Sequence, residues 1–139
     1  MGEVPNMTGI DWRRLAAAAK AASARAHCPY SRFAVGAAVQ AGDGSIAHGC
    51  NVENASFGLT VCAERNAVFR AVADGATSIV ALLVYTPTPA PVTPCGACRQ
   101  VIAEFGRGAT IRCICDGPGV SEYTLGELLP GAFTMNGSR

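Results

Sequence analysis

Apolar residues at Trp12, Leu15, Ala16, Ala19, Ala22 and Ala26 recur at helical spacing behind Asp11, a residue suited to an N-cap; the pattern predicts a first helix that Pro29 ends. Phe33 to Ala41 reads as a strand, and Gly42-Asp43-Gly44 turns it into a second one, Ser45 to Cys50, giving a β-hairpin. Val61 to Ala73 is predicted helical, with Gly75 as its stop. Ile79 to Tyr85 is apolar at every position, as a central strand covered on both faces must be. A proline-rich stretch, Thr86 to Pro94, leads into a helix from Cys95 to about Phe105. Thr110 to Cys115 reads as a further strand, and Thr124 to Leu129 as a short helix before Pro130. A hairpin followed by alternating helix and strand implies an α/β fold in three layers, one mixed sheet with helices on both faces.

The 139 residues fit a single domain spanning 1–139, with flexible tails expected at 1–10 and 135–139. Half of them are apolar, so a packed core is within reach and disorder is excluded. Charged residues make up only 15%, against about 25% in an average soluble domain. That shortage points to surface buried against other subunits. Eleven basic residues balance ten acidic ones with no basic run, which argues against a nucleic-acid partner. The apolar run Ile79 to Tyr85 is far too short to span a membrane. Met1 to Ile10 lacks the pattern of a secretory signal, so the seven cysteines read as thiols or metal ligands of a reduced, cytoplasmic protein.

Two cysteine clusters carry the chemistry. Cys62-Ala63-Glu64 opens one predicted helix and Pro94-Cys95-Gly96-Ala97-Cys98 the next. Pro94 suits a helix start, because its missing N–H would go unpaired there anyway. Cys95 and Cys98 are three apart and share a helical face. Helix N-termini favour the thiolate, which is the form that binds metal. Three thiolates from two helix starts leave one tetrahedral position of a zinc ion open, the pattern of a catalytic rather than a structural site. Cys62 and Glu64 would face opposite sides in mid-helix, but in the first turn both can point past the helix end. There a carboxylate can take a proton from water on the metal and pass it to a substrate. Cys-x-Glu followed by Pro-Cys-x-x-Cys is recognised as the signature of zinc deaminases in their three-cysteine form. A redox CxxC pair would explain neither Cys62 nor Glu64, and a four-ligand zinc would need a partner such as Cys50 that no second CxxC accompanies. Arg65, one turn beyond Cys62, is expected to hydrogen-bond ligand sulfur and offset the net negative charge of zinc with three thiolates. Cys28, Cys50, Cys113 and Cys115 are assigned to the core, and His27 and His48 to surface or satisfied polar positions.

With those residues identified, the chain resembles the small cytidine deaminases of the homotetrameric class from Asp11 to Phe133. The marks are Cys28-Pro29-Tyr30-Ser31-Arg32-Phe33, Val35-Gly36-Ala37-Ala38, Asn51-Val52-Glu53-Asn54-Ala55-Ser56, Cys62-Ala63-Glu64-Arg65, Pro94-Cys95-Gly96-Ala97-Cys98-Arg99-Gln100 and Leu128-Leu129-Pro130-Gly131-Ala132-Phe133. Ala34 stands where a proline is common and Phe57 where a tyrosine is common. The resemblance implies an α/β/α sandwich with a mixed, about five-stranded sheet, and one zinc per subunit on Cys62, Cys95 and Cys98. It implies hydrolytic deamination of cytidine and deoxycytidine to uridine and deoxyuridine in pyrimidine salvage. Hydroxide would attack C4 of the ring while Glu64 moves protons to N3 and then to the departing ammonia. Asn51 and Glu53 would bind the sugar hydroxyls, Phe33 and Ala63 would line the substrate site, and Phe133 would enter a neighbouring subunit's site in a homotetramer. Three other readings stay open: a blasticidin S-type nucleoside-antibiotic deaminase, a non-enzymatic zinc or redox module, and a role for Asn51 and Asn54 confined to shaping the turn.

Overall fold

Strand β1 (Gly36–Ala41) is buried along its whole length, and its side chains alternate between two cores. Ala38 packs with Leu15 and Ala19 of helix α1 (Trp12–Ser23) and with Ala81 and Leu83 of strand β3 (Ile79–Tyr85). Ala37 and Val39 face the other way, toward Leu82 and Val84 of β3, Ala67 and Val68 of helix α2 (Ala63–Ala73), and Ile102 of helix α3 (Gly96–Phe105). Apolar residues on both faces are what a sheet covered on both sides requires, and Gln40 is the one polar residue of β1. The three-layer α/β/α sandwich anticipated from the sequence results.

The computed structural model describes residues 9–135. Its five strands lie in the order β2-β1-β3-β4-β5, with β2 at Ile46–Cys50, β4 at Thr110–Ile114 and β5 at Val120–Thr124. β1 is antiparallel to both β2 and β3, β3 runs parallel to β4 through the α3 crossover, and β5 returns antiparallel to β4. A 3-10 turn covers Phe57–Leu59, and a one-turn helix, α4 (Leu125–Leu128), follows β5. Thr124 and Glu127 form a capping box at the start of α4. Of the tails expected at 1–10 and 135–139, residues 1–8 and 136–139 lie outside the described residues. Gly9 is held through its carbonyl by the Gln40 amide, and Ile10 packs beside the α1 core.

Three boundaries differ from the sequence reading by two residues or more, each for a traceable reason. β1 begins at Gly36 rather than Phe33, because the Phe33 carbonyl and the Val35 N–H bond to the Asn51 side chain instead of to a neighbouring strand. α1 stops at Ser23, well before Pro29, because the chain leaves the helix to pair with the segment after β2: the His27 N–H donates to the Asn51 carbonyl and the Glu53 N–H to the His27 carbonyl. α2 begins at Ala63 rather than Val61, because Val61 is paired with Val52. β5 went unforeseen. It is a short edge strand whose five residues, Val-Ser-Glu-Tyr-Thr, lack the apolar alternation that marks a half-buried strand.

Register decides where chemistry can gather. Gly36 sits opposite both Cys50 and Tyr85. Residues 33–35 before β1, 51–53 after β2 and Thr86 after β3 therefore emerge along one edge, outside the carboxyl ends of β2 and β3. α2 lies so close to β2 that a Cβ on Gly49 would stand 2.5 Å from the Ala67 nitrogen and 2.9 Å from the Ala63 carbonyl oxygen. Backbone atoms cannot yield as a side-chain tip can. Gly49→Ala is therefore expected to destabilise the fold by about 2–3 kcal/mol. Gly58→Ala, with open space around it, should stay within about 1 kcal/mol. Thermal or denaturant unfolding of the two variants checks the contrast.

Candidate active site

Cys62 and Cys95 occupy the N-cap positions of α2 and α3, both with extended backbone, and neither makes a side-chain capping hydrogen bond. Ser, Thr or Asp at an N-cap would turn its oxygen onto the helix's own N–H groups. A thiol there is freed from that task and from the helical phase, so both sulfurs can leave the helix ends toward a common point. Cys98, one turn into α3 and fully buried, reaches the same point. The three Sγ atoms lie within 4.8 Å of one another, with Cys62 to Cys95 at 3.9 Å and Cys95 to Cys98 at 3.5 Å. Tetrahedral zinc with bonds of about 2.3 Å needs sulfurs about 3.8 Å apart. The donor set and its spacing fit that ion.

Electrostatics around the sulfurs favour charge on Cys62. Hydrogen bonding from Cys98, together with the Arg65 guanidinium (Nη2 to Sγ, 3.5 Å), lowers the Cys62 thiol to about 5. Cys98, donating to that thiolate and buried, is held far above the usual thiol range. Arg65 takes the position expected from its spacing, and its buried Nε is left without a hydrogen-bond partner.

Glu64 is the second residue of α2 and is buried, with only 6% of its surface exposed, in the wall of a cavity of about 340 Å³. Burial raises its carboxyl to about 7, and the neighbouring Cys62 charge adds to the effect. A carboxyl balanced near neutrality can both take and give a proton.

The same cavity is lined by Phe33, Asn51, Glu53, Cys62, Ala63 and Cys95, so the residues singled out from the sequence meet there. Asn51 is buried and uses its amide to hold the segment before β1: Oδ1 accepts from the Val35 N–H at 2.9 Å and Nδ2 donates to the Phe33 carbonyl at 2.7 Å. One N–H and one lone pair of that amide remain for a ligand. The Glu53 carboxylate accepts from the Tyr30 and Ser31 N–H groups at 3.0 and 3.2 Å and from the Ser31 hydroxyl. These donors hold it below the usual carboxylate range, and the Ser31 hydroxyl contributes most. Phe133 does not line this cavity. The residue is 70% exposed, and its carbonyl accepts from Gln100 Nε2 at 3.1 Å.

Ser31, Thr60, Thr86, Val92 and Thr93 also line the cavity and were not foreseen. They come from loops, where no periodicity marks a residue as facing inward. Phe57 stands exposed, edge-on to Tyr30 at 5.7 Å between ring centres. Of the cysteines assigned to the core, Cys113 and Cys115 are buried, whereas Cys28 and Cys50 are only half-buried. The exposed His48 lies 3.4 Å from Arg70. Among the described residues, no helix is long and apolar enough to cross a membrane.

The chain is similar to known proteins along most of its length. Residues 11–114 match the family model described as the cytidine and deoxycytidylate deaminase zinc-binding region. A cytidine deaminase from Sporosarcina psychrophila is 51% identical over 126 residues, covering 90% of this chain and 93% of that one. One from Mycobacterium tuberculosis is 44% identical over 130 residues, covering 94% and 95%. The crystal structure of cytidine deaminase from Burkholderia pseudomallei superposes with a TM-score of 0.85 at 46% identity, covering 89% of this chain and all of that one. With three sulfurs and a buried carboxylate set in the fold these relatives share, the chain belongs to the cytidine deaminase family of zinc-binding hydrolases.

Proposed function

We propose that this protein hydrolyses free cytidine and deoxycytidine, replacing the 4-amino group by oxygen to give uridine or deoxyuridine and ammonia. The observation that carries the reading is the buried Glu64 carboxyl, in the cavity wall beside the three-sulfur cluster. Cys62, Cys95 and Cys98 would hold zinc, which when bound acts as a Lewis acid and brings the ionisation of water near neutral pH. Glu64 takes the proton that water gives up and delivers it to ring N3 as the C4–O bond forms. It carries the second proton to the amino nitrogen, which leaves as ammonia when the C4–N bond breaks. Arg65 tempers the negative charge of the thiolates. Phe33 and Ala63 border the pyrimidine.

Asn51 and Glu53 lie at the sugar end. Glu53, held ionised by the Ser31 loop, accepts from a free 3′-hydroxyl and would repel a phosphate in its place. That preference separates a substrate with a free 3′-hydroxyl from a 3′-phosphorylated one and from cytosine within a polynucleotide. Free thiols as metal ligands fit a reducing, cytoplasmic setting.

Phe133, exposed on its own subunit, is assigned to the site of a neighbouring one in a homotetramer. The sparse surface charge and the exposed Phe57, Leu59 and Phe69 support such an assembly.

Glu64→Gln should keep stoichiometric zinc and a wild-type melting profile while losing about 10²–10⁴ in kcat. Cys95→Ala should instead lose the metal, as metal analysis would record. Near-normal turnover by Glu64→Gln would remove the proton shuttle.

Cytidine and deoxycytidine should both be consumed. Cytidine 3′-phosphate should react at least about a hundredfold less efficiently, given several kcal/mol for juxtaposed like charges, and cytosine in single-stranded DNA not at all. Loss of cytidine's ultraviolet absorbance reads out each case. Inert cytidine with reactive blasticidin S would transfer the reading to the antibiotic.

Mixed tetramers of Phe133→Ala chains and Glu64→Gln chains should recover activity that neither parent has in full. Verified mixed assemblies without recovery would return Phe133 to its own subunit.

A further inference from the structure

Arg99 stands in the first turn of α3, four residues after Cys95, where a cation is electrostatically misplaced. The start of a helix carries the positive end of its dipole. Among the described residues no carboxylate lies within salt-bridge distance of it, the one such pair being Arg112 with Glu122. All three guanidinium nitrogens donate instead to neutral acceptors. Nε reaches the Pro94 carbonyl at 2.8 Å, Nη1 the Leu128 carbonyl at 2.8 Å and Nη2 the Thr93 hydroxyl at 3.1 Å. This half-buried cation therefore stabilises neither its own helix nor an acidic partner, and is explained by what it holds.

It holds two segments together, the strap before Cys95 and the end of α4. Side chains on a helix lean toward its N-terminus, so Arg99 folds back over the turn that begins with Cys95. Pro94 is fully buried and has no N–H, which leaves its carbonyl as the group through which the backbone before Cys95 is fixed. Thr93, the other acceptor on that strap, lines the cavity. Leu128 ends α4, and its carbonyl is one of the orphans that any helix end must satisfy. From there the chain runs through Pro130 and Gly131 to Phe133, whose carbonyl is taken by Gln100, the next residue of α3.

We propose that Arg99 is a positioning residue that clamps the strap carrying Cys95 to the C-terminal segment, so that one side chain sets both the Cys95 sulfur and the arm that carries Phe133. The proposal rests on the zinc reading of the three cysteines. A planar guanidinium is needed, because an ammonium cannot present three donors in one fork.

The test uses the zinc-loaded protein at a temperature well below unfolding and reads two quantities. The first is the rate of zinc release to a chromogenic chelator; the second is backbone hydrogen exchange in a peptide covering residues 125–133. Arg99→Met should release zinc at least about tenfold faster, the lower end of the effect of removing a group that orients a metal ligand, and should accelerate exchange in that peptide. Arg99→Lys should show both effects in smaller degree. Leu83→Val, which trims the core on the opposite face of the sheet, should release zinc at the wild-type rate. Release from Arg99→Met no faster than from wild type or Leu83→Val overturns the proposal, and so does a change in only one of the two readouts. If the Met variant does not fold, the Lys variant decides, and wild-type behaviour there is equally fatal. A wild-type chain that held no zinc would sink the zinc reading instead, and exchange at 125–133 would then decide the clamp alone.

Discussion

Three sulfurs lie within 4.8 Å of one another, and as thiolates they would repel strongly unless a cation sat among them. The fold meets this constraint with backbone. Two helices begin above the same sheet edge, each with a cysteine at its N-cap, so partial positive charge from unpaired N–H groups surrounds the sulfurs before any ion arrives. Arg65 adds a full positive charge at 3.5 Å from Cys62. The close approach of α2 to β2 at Gly49 brings the first helix start into place, and the β3–α3–β4 crossover brings the second. Removing either approach would leave a scattered set of thiols on an intact sheet.

Glu64 depends on the same geometry. Had α2 begun at Val61, Cys62 and Glu64 would both lie inside the helix, on opposite faces. Because Val61 is instead paired with Val52, Cys62 is the N-cap, and its direction is set by extended backbone rather than by helical phase. Burial then does to the carboxyl what the proposed proton transfer needs. A rise from 4.5 to about 7 makes ionisation harder than in water by about 3 kcal/mol. The group is thereby matched to neutral pH without a dedicated partner, since the desolvation comes from the cavity wall itself.

How legible all this was in the sequence varies with the signal each part leaves. The central strand Ile79–Tyr85 was readable to the residue, because seven consecutive apolar positions admit little else at that length. The metal cluster was readable because cysteines at fixed spacing carry chemistry regardless of context. β5 was not, since an exposed edge strand needs no apolar face. The end of α1 was not, because pairing of His27 with residues after β2 overrides local helical preference. Arg99 was visible within its motif but gave no sign of its role. Its acceptors are two carbonyls and a hydroxyl, and one of those carbonyls lies 29 residues away; pairing of that kind leaves no pattern in a linear string.

The apolar side chains left outside the core tell which surface the sheet and helices do not account for. Ala132 packs onto the core while the next residue, Phe133, projects outward. Tyr30, Phe57, Leu59, Phe69, Val120 and Met135 are each more than half exposed or very nearly so. Burying one such side chain contributes about 1.5–3 kcal/mol, whereas association costs on the order of 4–15 kcal/mol in lost freedom. A single ring such as Phe133 could not hold a second chain. Burying several together would offset that cost, which is what the proposed assembly requires of a chain with only 15% charged residues. Phe133 is exposed, yet its carbonyl is held to the helix whose start carries two of the sulfurs; under the proposed assignment the arm would serve a neighbour's cavity while remaining anchored beside its own cysteine cluster.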